Sequence, residues 1–264
     1  MTALISREAV EPLAPVVATL SALQTRHGKD SLQGLVPGLV GPEGPAWVPA
    51  SELSADRLLE TAAERWSAQP HAAAALAWKC YSYWLALPAV LGFAASRRVP
   101  LMTPDRVLVR FQAAQPFLTL ALRAPVTAVL VTDPIVATDA PGLLIVDDEE
   151  ELLGVLRRSL VDAHLDPLLE EFRTRARIGR RTLWGSVGSG VAYGLSRAAD
   201  SLPSLVPGDT MALARRLLRA LDADDLVELS DRPGGGLDIQ RKTCCLAFTL
   251  PTPKVCTTCC IRPQ

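Results

Sequence analysis

Hydrophobic and polar positions change their spacing along the chain, and the change separates helical regions from strands. Apolar residues at three- and four-residue intervals predict a first amphipathic helix; they are Leu13, Val16, Val17, Leu20 and Leu23. Ser54 suits the N-cap of a second helix that runs to about residue 68. A third predicted helix covers about 71–96. The N-terminal region is therefore expected to be helical.

The middle of the chain has short, often β-branched segments separated by Pro, Asp or Gly, which predict strands. These segments are 107–111, 117–120, 126–131 and 143–146. Helical spacing resumes at about 148–177, 180–199 and 209–222. The break at 231–236, which contains Pro and three Gly, predicts a hinge before the C-terminal tail. Small residues at 185–190 lack the Lys-Ser/Thr of a phosphate loop and instead predict close helix packing.

These patterns predict an α+β fold that is mostly helical, with a small, largely antiparallel central sheet and a C-terminal cysteine-rich tail. We expect an N-terminal helical region at 1–70, a core domain at 71–233 and a cysteine-bearing segment at 234–264. Residues 72–95 are long and apolar enough to resemble a membrane span. Because Lys79 lies well inside this segment and Pro88 interrupts it, a buried core helix is favoured. At most, peripheral membrane contact is expected.

Composition limits the classes of partner and the cellular compartment that we expect. The 264 residues are 49% hydrophobic, which excludes a wholly disordered chain. The 27 basic and 28 acidic residues give a net charge of -1, which does not favour nucleic acid as a partner. The first residues lack a basic stretch followed by an apolar one, so we expect no secretory signal. A cytoplasmic location follows as an expectation, and clustered cysteines in that reducing compartment favour metal binding over disulfides.

Five of the six cysteines lie between Cys244 and Cys260. Thiolates at this density select zinc, Cu(I) or iron–sulfur clusters. A structural zinc site usually has two pairs of ligands, each pair separated by two to four residues. Here only Cys256 and Cys259 form such a pair, whereas Cys244 and Cys245 are adjacent. An adjacent pair suits a binuclear centre better than one compact ion, so both a [2Fe–2S] cluster and a zinc site stay open.

The spacing Cys-Cys-x10-Cys-x2-Cys resembles the signature of the FhuF-like ferric siderophore reductases. The matching positions are Cys244, Cys245, Cys256 and Cys259. A second stretch, Arg181-Thr182-Leu183-Trp184-Gly185-Ser186-Val187, is similar to the family's Arg-x-Leu-Trp-Gly-Asn-Val, with Ser where Asn is usual. The resemblance extends from about residue 71 to the end of the chain. It implies that these four cysteines bind a [2Fe–2S] cluster, which makes 234–264 the cluster-binding segment.

The resemblance also implies an activity and partners. A donor such as a ferredoxin or a flavin reductase would supply one electron, which passes to Fe(III) in a siderophore, for example of the hydroxamate type, and Fe(II) is released. The expected location is the cytoplasm, with at most loose association with the inner face of the membrane. Positive charge around the cysteines is expected to raise the reduction potential and to suit an acidic donor; it comes from Arg241, Lys242, Lys254 and Arg262.

Two residues of the second stretch are candidates for substrate binding. Arg181 belongs to a group of arginines that could cradle an anionic chelate, although the same face could be solvated and paired with Glu170 and Glu171. Trp184 could line a chelate pocket or fill the core. The surplus Cys260 is adjacent to Cys259 and could exchange with it as a ligand. The alternative function is a structural four-cysteine zinc interaction module, or an iron–sulfur sensor without reductase activity.

Overall fold

The computed structural model describes residues 12–41, 44–113, 116–199, 209–232, 236–256 and 259–261. It confirms a mixed α+β fold. Its helices are α1 (Ala14–His27), α2 (Ala55–Trp66), α3 (Pro70–Ser96), α4 (Glu149–Arg157), α5 (Asp166–Ala176), α6 (Arg180–Ala198) and α7 (Asp209–Ala220). Its strands are β1 (Leu35–Val40), β2 (Val48–Pro49), β3 (Arg98–Pro100), β4 (Val107–Phe111), β5 (Leu118–Leu122), β6 (Thr127–Leu130), β7 (Leu143–Val146), β8 (Val227–Asp231) and β9 (Leu237–Arg241).

Helix α3 is the centre of the molecule. It is apolar on nearly every side, as expected of a helix enclosed by other elements, and most of its residues are buried. It packs against α1, α2 and, most extensively, α6. Pro70 starts the helix, and Arg97, with a φ of 55°, ends it. The prediction of a buried core helix is confirmed, and no helix in the described ranges is long and apolar enough to cross a membrane.

Small residues of α6 allow its close approach to α3, as their spacing predicts. Gly190 lies against Tyr83, where an added Cβ would be in van der Waals contact at 3.4 Å. A Cβ on Gly194 would approach Leu87 Cδ1 to 2.7 Å, too close for a side chain. The hydrophobic core continues from α1 through α3 to β9, so it includes residues on both sides of position 70.

The strands are largely antiparallel, as predicted, but they form three sheets instead of one. The strand orders are β1-β5-β4-β2, β3-β6-β7 and β8-β9, and only β1-β5 and β6-β7 pair in parallel. The chain leaves the first sheet after β5 through Ala124, which has a φ of 42°, and Pro125, which has no N–H to donate. This local geometry interrupts the ladder, so β6 pairs with β3 and β7 instead.

The helix predicted at 148–177 contains a π-helical segment, Arg158–Leu165, between α4 and α5. Pro167 accounts for the wider turn, because it donates no backbone hydrogen bond and its ring would meet the carbonyl four residues earlier. His164 lies in this segment and is 3% exposed. Its Nδ1 donates to the Met102 carbonyl at 2.5 Å, so its Nε2 accepts from the Tyr81 hydroxyl, also at 2.5 Å.

We expect His164 to make the protein less stable in mild acid. Burial, opposed by the Met102 carbonyl and the charge of Asp105, lowers the pKa of His164 to about 4, against about 6.5 when unfolded. The unfolded chain therefore binds the proton first, and stability falls as pH decreases from 6.5 towards 4, by about 3 kcal/mol in full. Urea denaturation of wild type and His164→Gln at pH 7.5 and 5 measures this. Equal pH dependence in both proteins would contradict the account.

Strands β8 and β9 form a hairpin where the sequence suggested a hinge. Their pairing extends from Val227 opposite Arg241 to Asp231 opposite Leu237. On the two sides of the undescribed residues 233–235, the Arg232 N–H donates to the Gly236 carbonyl at 3.0 Å. Strand β9 packs against α6 and buries Leu237 and Ile239 in the core. The cysteine segment therefore begins from a strand that is fixed to the body of the protein.

Candidate functional site

The chain after β9 folds back on itself and brings its two groups of cysteines together. Cys245 is 4% exposed and packs with Leu76, Ala247 and Leu250. The segment that returns towards Cys245 is held by a hydrogen bond from the Lys254 N–H to the Ala247 carbonyl at 3.0 Å. The amide of Gln240 in β9 donates to the Cys259 carbonyl at 3.1 Å, which ties the end of the segment to the hairpin. These contacts hold both ends of the cysteine segment near β9.

The thiols approach one another in pairs. Cys245 interacts with Cys256, and Cys260 interacts with Cys244. Cys259, which is 6% exposed, interacts electrostatically with both Cys256 and Cys260. Within the described part of the chain, no three metal-ligating side chains converge to hold a single ion.

One member of the first pair ionises more readily than an ordinary cysteine. Burial opposes ionisation of Cys245, but the Ala247 N–H, the positive charges of Lys79 and Arg241, and the hydrogen bond with Cys256 together lower its pKa. Burial and repulsion by Cys245 raise the pKa of Cys256. The thiolate is the form that binds metal, so the cations beside this pair favour binding.

Arg241 is a buried cation without a carboxylate partner among the described residues. The residue is only 2% exposed. One amino group donates to Ser186 Oγ at 3.1 Å, while Nε has no hydrogen-bond partner in the structure. An unpaired buried charge is costly, so it is found where an anion compensates it. Arg241 interacts electrostatically with Cys245 and Cys256. Of the other cations expected around the cysteines, Lys242 and Lys254 are exposed, and Arg262 lies outside the described residues.

The stretch around Trp184 forms the support for the cysteine segment. The Trp78 indole donates to the Leu183 carbonyl at 2.8 Å, and the Trp184 indole donates to the carbonyls of Leu221 and Asp222 at 3.0 Å each. Gly185 lies directly under Thr243, the residue before Cys244, and Ser186 accepts from Arg241. This stretch therefore packs against the residues with which the cysteine segment begins.

Replacing Gly185 by alanine should displace the cysteine segment. A Cβ at this position would lie 2.7 Å from Thr243 Cβ, and Thr243 is itself buried, so neither side can yield easily. We expect a loss of about 1–3 kcal/mol in the free energy of unfolding and weaker metal loading. Chemical denaturation with metal analysis measures both. Gly179→Ala is the control, since its Cβ would meet only Thr182 Oγ1 at 3.9 Å; equal behaviour of the two variants would contradict this role.

A cavity of about 550 Å³ lies beside the cysteines, and Cys256 forms part of its wall. Helix α3 contributes Tyr83 and Trp84, whose ring centroids are 4.7 Å apart. Its lining also includes Lys79, Cys80, Tyr193 and Arg241. The volume is typical of small-molecule sites. Sequence analysis missed the cavity because Trp84 shares a helical stripe with Trp78, Tyr81 and Leu85, all of which are fully buried.

The two residues predicted to bind substrate lie elsewhere. Arg181 is on the surface, where its guanidinium pairs with Asp225 at 2.6 Å. Trp184 is 5% exposed and belongs to the core. Neither lines the cavity beside Cys256. The neighbouring arginines form a solvated, paired face, since Arg173 and Arg180 both contact Glu170.

The residues present fit an anionic, thiolate-bound cluster. Five cysteines lie in one segment and interact in pairs, and soft sulfur ligands are those that iron–sulfur clusters use. The orphaned Nε of Arg241 and the nearby charge of Lys79 match the negative charge such a group carries. The resemblance itself rests on the motif residues, because no protein-family model matches the chain and no curated protein is significantly similar to it.

Proposed function

We propose that this chain is a ferric siderophore reductase with a [2Fe–2S] cluster bound by Cys244, Cys245, Cys256 and Cys259. The observation that carries the proposal is the position of Cys256, which belongs both to the thiol group and to the wall of the cavity. A chelate in the cavity would therefore be adjacent to a cluster ligand. Electron transfer requires proximity and a suitable potential, and no general acid, base or nucleophile is needed.

The surrounding side chains support this role in distinct ways. Leu76, Ala247 and Leu250 shield Cys245 from water. Lys79 and Arg241 favour the ionised thiolates that ligation requires. The bound cluster would supply one electron to Fe(III), and the resulting Fe(II) is held less tightly by hard oxygen ligands.

The electron must come from a reducing partner. A ferredoxin or a flavin reductase in the cytoplasm would supply it in the proposed reaction. Exposed Lys242 and Lys254 flank the cysteines and suit the acidic surface of such a donor. The thiols are accessible from this side because Cys244 and Cys260 are only partly buried.

Single-turnover reduction tests the proposal. The anaerobic protein is reduced, freed of excess reductant and mixed with a ferric chelate, while the cluster absorbance and Fe(II) captured by a ferrous-specific dye are followed. We expect reoxidation of the cluster with release of one Fe(II) per chain. The gallium(III) complex of the same chelator is the control, because it cannot accept the electron. A cluster that stays reduced in the presence of the ferric chelate would favour a sensor, and a colourless zinc protein would favour a structural module.

A further inference from the structure

We infer that the cavity beside Cys256 selects ferric chelates whose iron-binding groups are anionic aryl rings, such as catecholates or phenolates, over neutral hydroxamate chelates. This inference rests on the proposed function and refines its substrate. Two features of the lining carry it: aromatic rings from two helices, and positive charge without a carboxylate.

The aromatic residues form a nearly continuous surface from the interior to the rim. Tyr83 and Trp84 of α3 are in contact, and Tyr193 of α6 follows, with its ring centroid 6.2 Å from that of Tyr83. Tyr193 is 45% exposed and is therefore available to a ligand at the cavity's edge. Aromatic rings bind other flat rings by offset stacking and edge-to-face contact, which an aliphatic hydroxamate cannot reproduce.

Trp84 is fixed in its orientation. Its indole lies against Gly34, where a Cβ would overlap the ring, so only glycine permits this position. A ring held in one orientation loses little freedom when a ligand stacks on it. The cavity thus offers a rigid platform.

The charges of the cavity favour an anion. Lys79 and Arg241 line it, and no Asp or Glu is among its described lining residues. The guanidinium of Arg197 lies 5.7 Å from the centre of the Tyr193 ring and adds a third positive charge near the rim. Four thiolates and two sulfides on two ferric ions carry a net charge of about -2. These three cations offset the charge of the cluster, and no described lining carboxylate repels an anionic ligand.

Binding of gallium(III) chelates to the anaerobically purified holoprotein tests this inference. Gallium(III) complexes have the charge and shape of the ferric ones but are not reduced, so binding is measured whether or not the protein is a reductase. Isothermal titration compares a hexadentate tris-catecholate with a linear trihydroxamate. We expect the catecholate complex to bind at least about tenfold more tightly.

Substitutions in the lining locate the binding site. Tyr193→Leu changes an exposed ring and should weaken catecholate binding about tenfold without affecting the fold. Trp84→Leu should act in the same direction. Trp47→Leu is the matched control, because Trp47 is a partly buried aromatic residue outside the cavity. This variant should bind the catecholate complex as tightly as wild type does. Equal or tighter hydroxamate binding, or unchanged binding by Tyr193→Leu, would overturn the inference.

Discussion

Cys256→Ser should lose the iron–sulfur cluster, with at least a tenfold decrease in bound iron and loss of visible absorbance. Cys256 interacts electrostatically with Cys245 and Cys259, so it links the two groups of cysteines. A serine hydroxyl at this position is a much poorer ligand for iron–sulfur clusters than a thiolate. Iron and sulfide analysis of anaerobically purified protein measures the effect, and circular dichroism checks that the helices persist.

Two other cysteines provide matched controls. Cys80 lines the same cavity from α3, but burial raises its pKa to about 11, which keeps it a neutral thiol. Cys80→Ser should therefore retain the cluster. Cys260→Ser should also retain it, because Cys259 is the proposed ligand, although Cys260 interacts with Cys244. Cluster loss in Cys80→Ser, or its retention in Cys256→Ser, would contradict the assignment of ligands.

Arg241→Met should lower the reduction potential of the cluster by about 100 mV, the one-electron equivalent of a charge interaction of a few kcal/mol. A reduced cluster carries one more negative charge than an oxidised one, so a buried cation nearby stabilises it and raises the potential. Arg241 interacts with both Cys245 and Cys256 from its buried position. Protein-film voltammetry or a dye-mediated titration measures the potential of the variant.

The stability of the metal-free protein separates this role from a structural one. Without the cluster, Arg241 is a buried charge with no carboxylate partner in the described residues, so its removal should not destabilise the apo-protein. Arg241→Lys should have a reduction potential close to that of wild type, because lysine keeps the positive charge. Lys242→Met is the control, since that side chain is exposed and screened by solvent. A strongly destabilised apo-Arg241→Met with an unchanged potential would contradict the account.

The longest helices were predictable because their burial follows from composition. Residues 72–95 are almost entirely apolar, and such a segment must be enclosed wherever the fold places it. The small residues of α6 likewise indicated close packing, which their contacts with Tyr83 and Leu87 confirm. The local pattern of residue types was sufficient to predict both the buried helix and the close helix packing.

The hairpin β8–β9 was missed although its signal is present. Val227, Leu229, Leu237 and Ile239 alternate with polar residues, as in half-buried strands, but the intervening Pro and Gly suggested a linker. Turn residues and hinge residues have the same composition, and only pairing across the break distinguishes them.

The cysteine segment of the candidate site was predictable, but its surroundings were not. The cysteine spacing is a local property of the chain, so the thiol group could be anticipated. The cavity depends on how α3, α6 and β9 meet, which brings Tyr83, Tyr193 and Arg241 together from distant positions. Arg181 and Trp184 were chosen because they belong to the motif, whereas in the structure the neighbouring Gly185 and Ser186 contact the cysteine segment.

The absorption spectrum of anaerobically purified protein, combined with iron, sulfide and zinc analysis, tests the central claim most directly. The proposed ligands and the cations beside them predict a coloured protein with two irons and two sulfides per chain, which bleaches on reduction. A colourless protein that holds one zinc ion would contradict the reductase and identify the cysteine segment as a structural module.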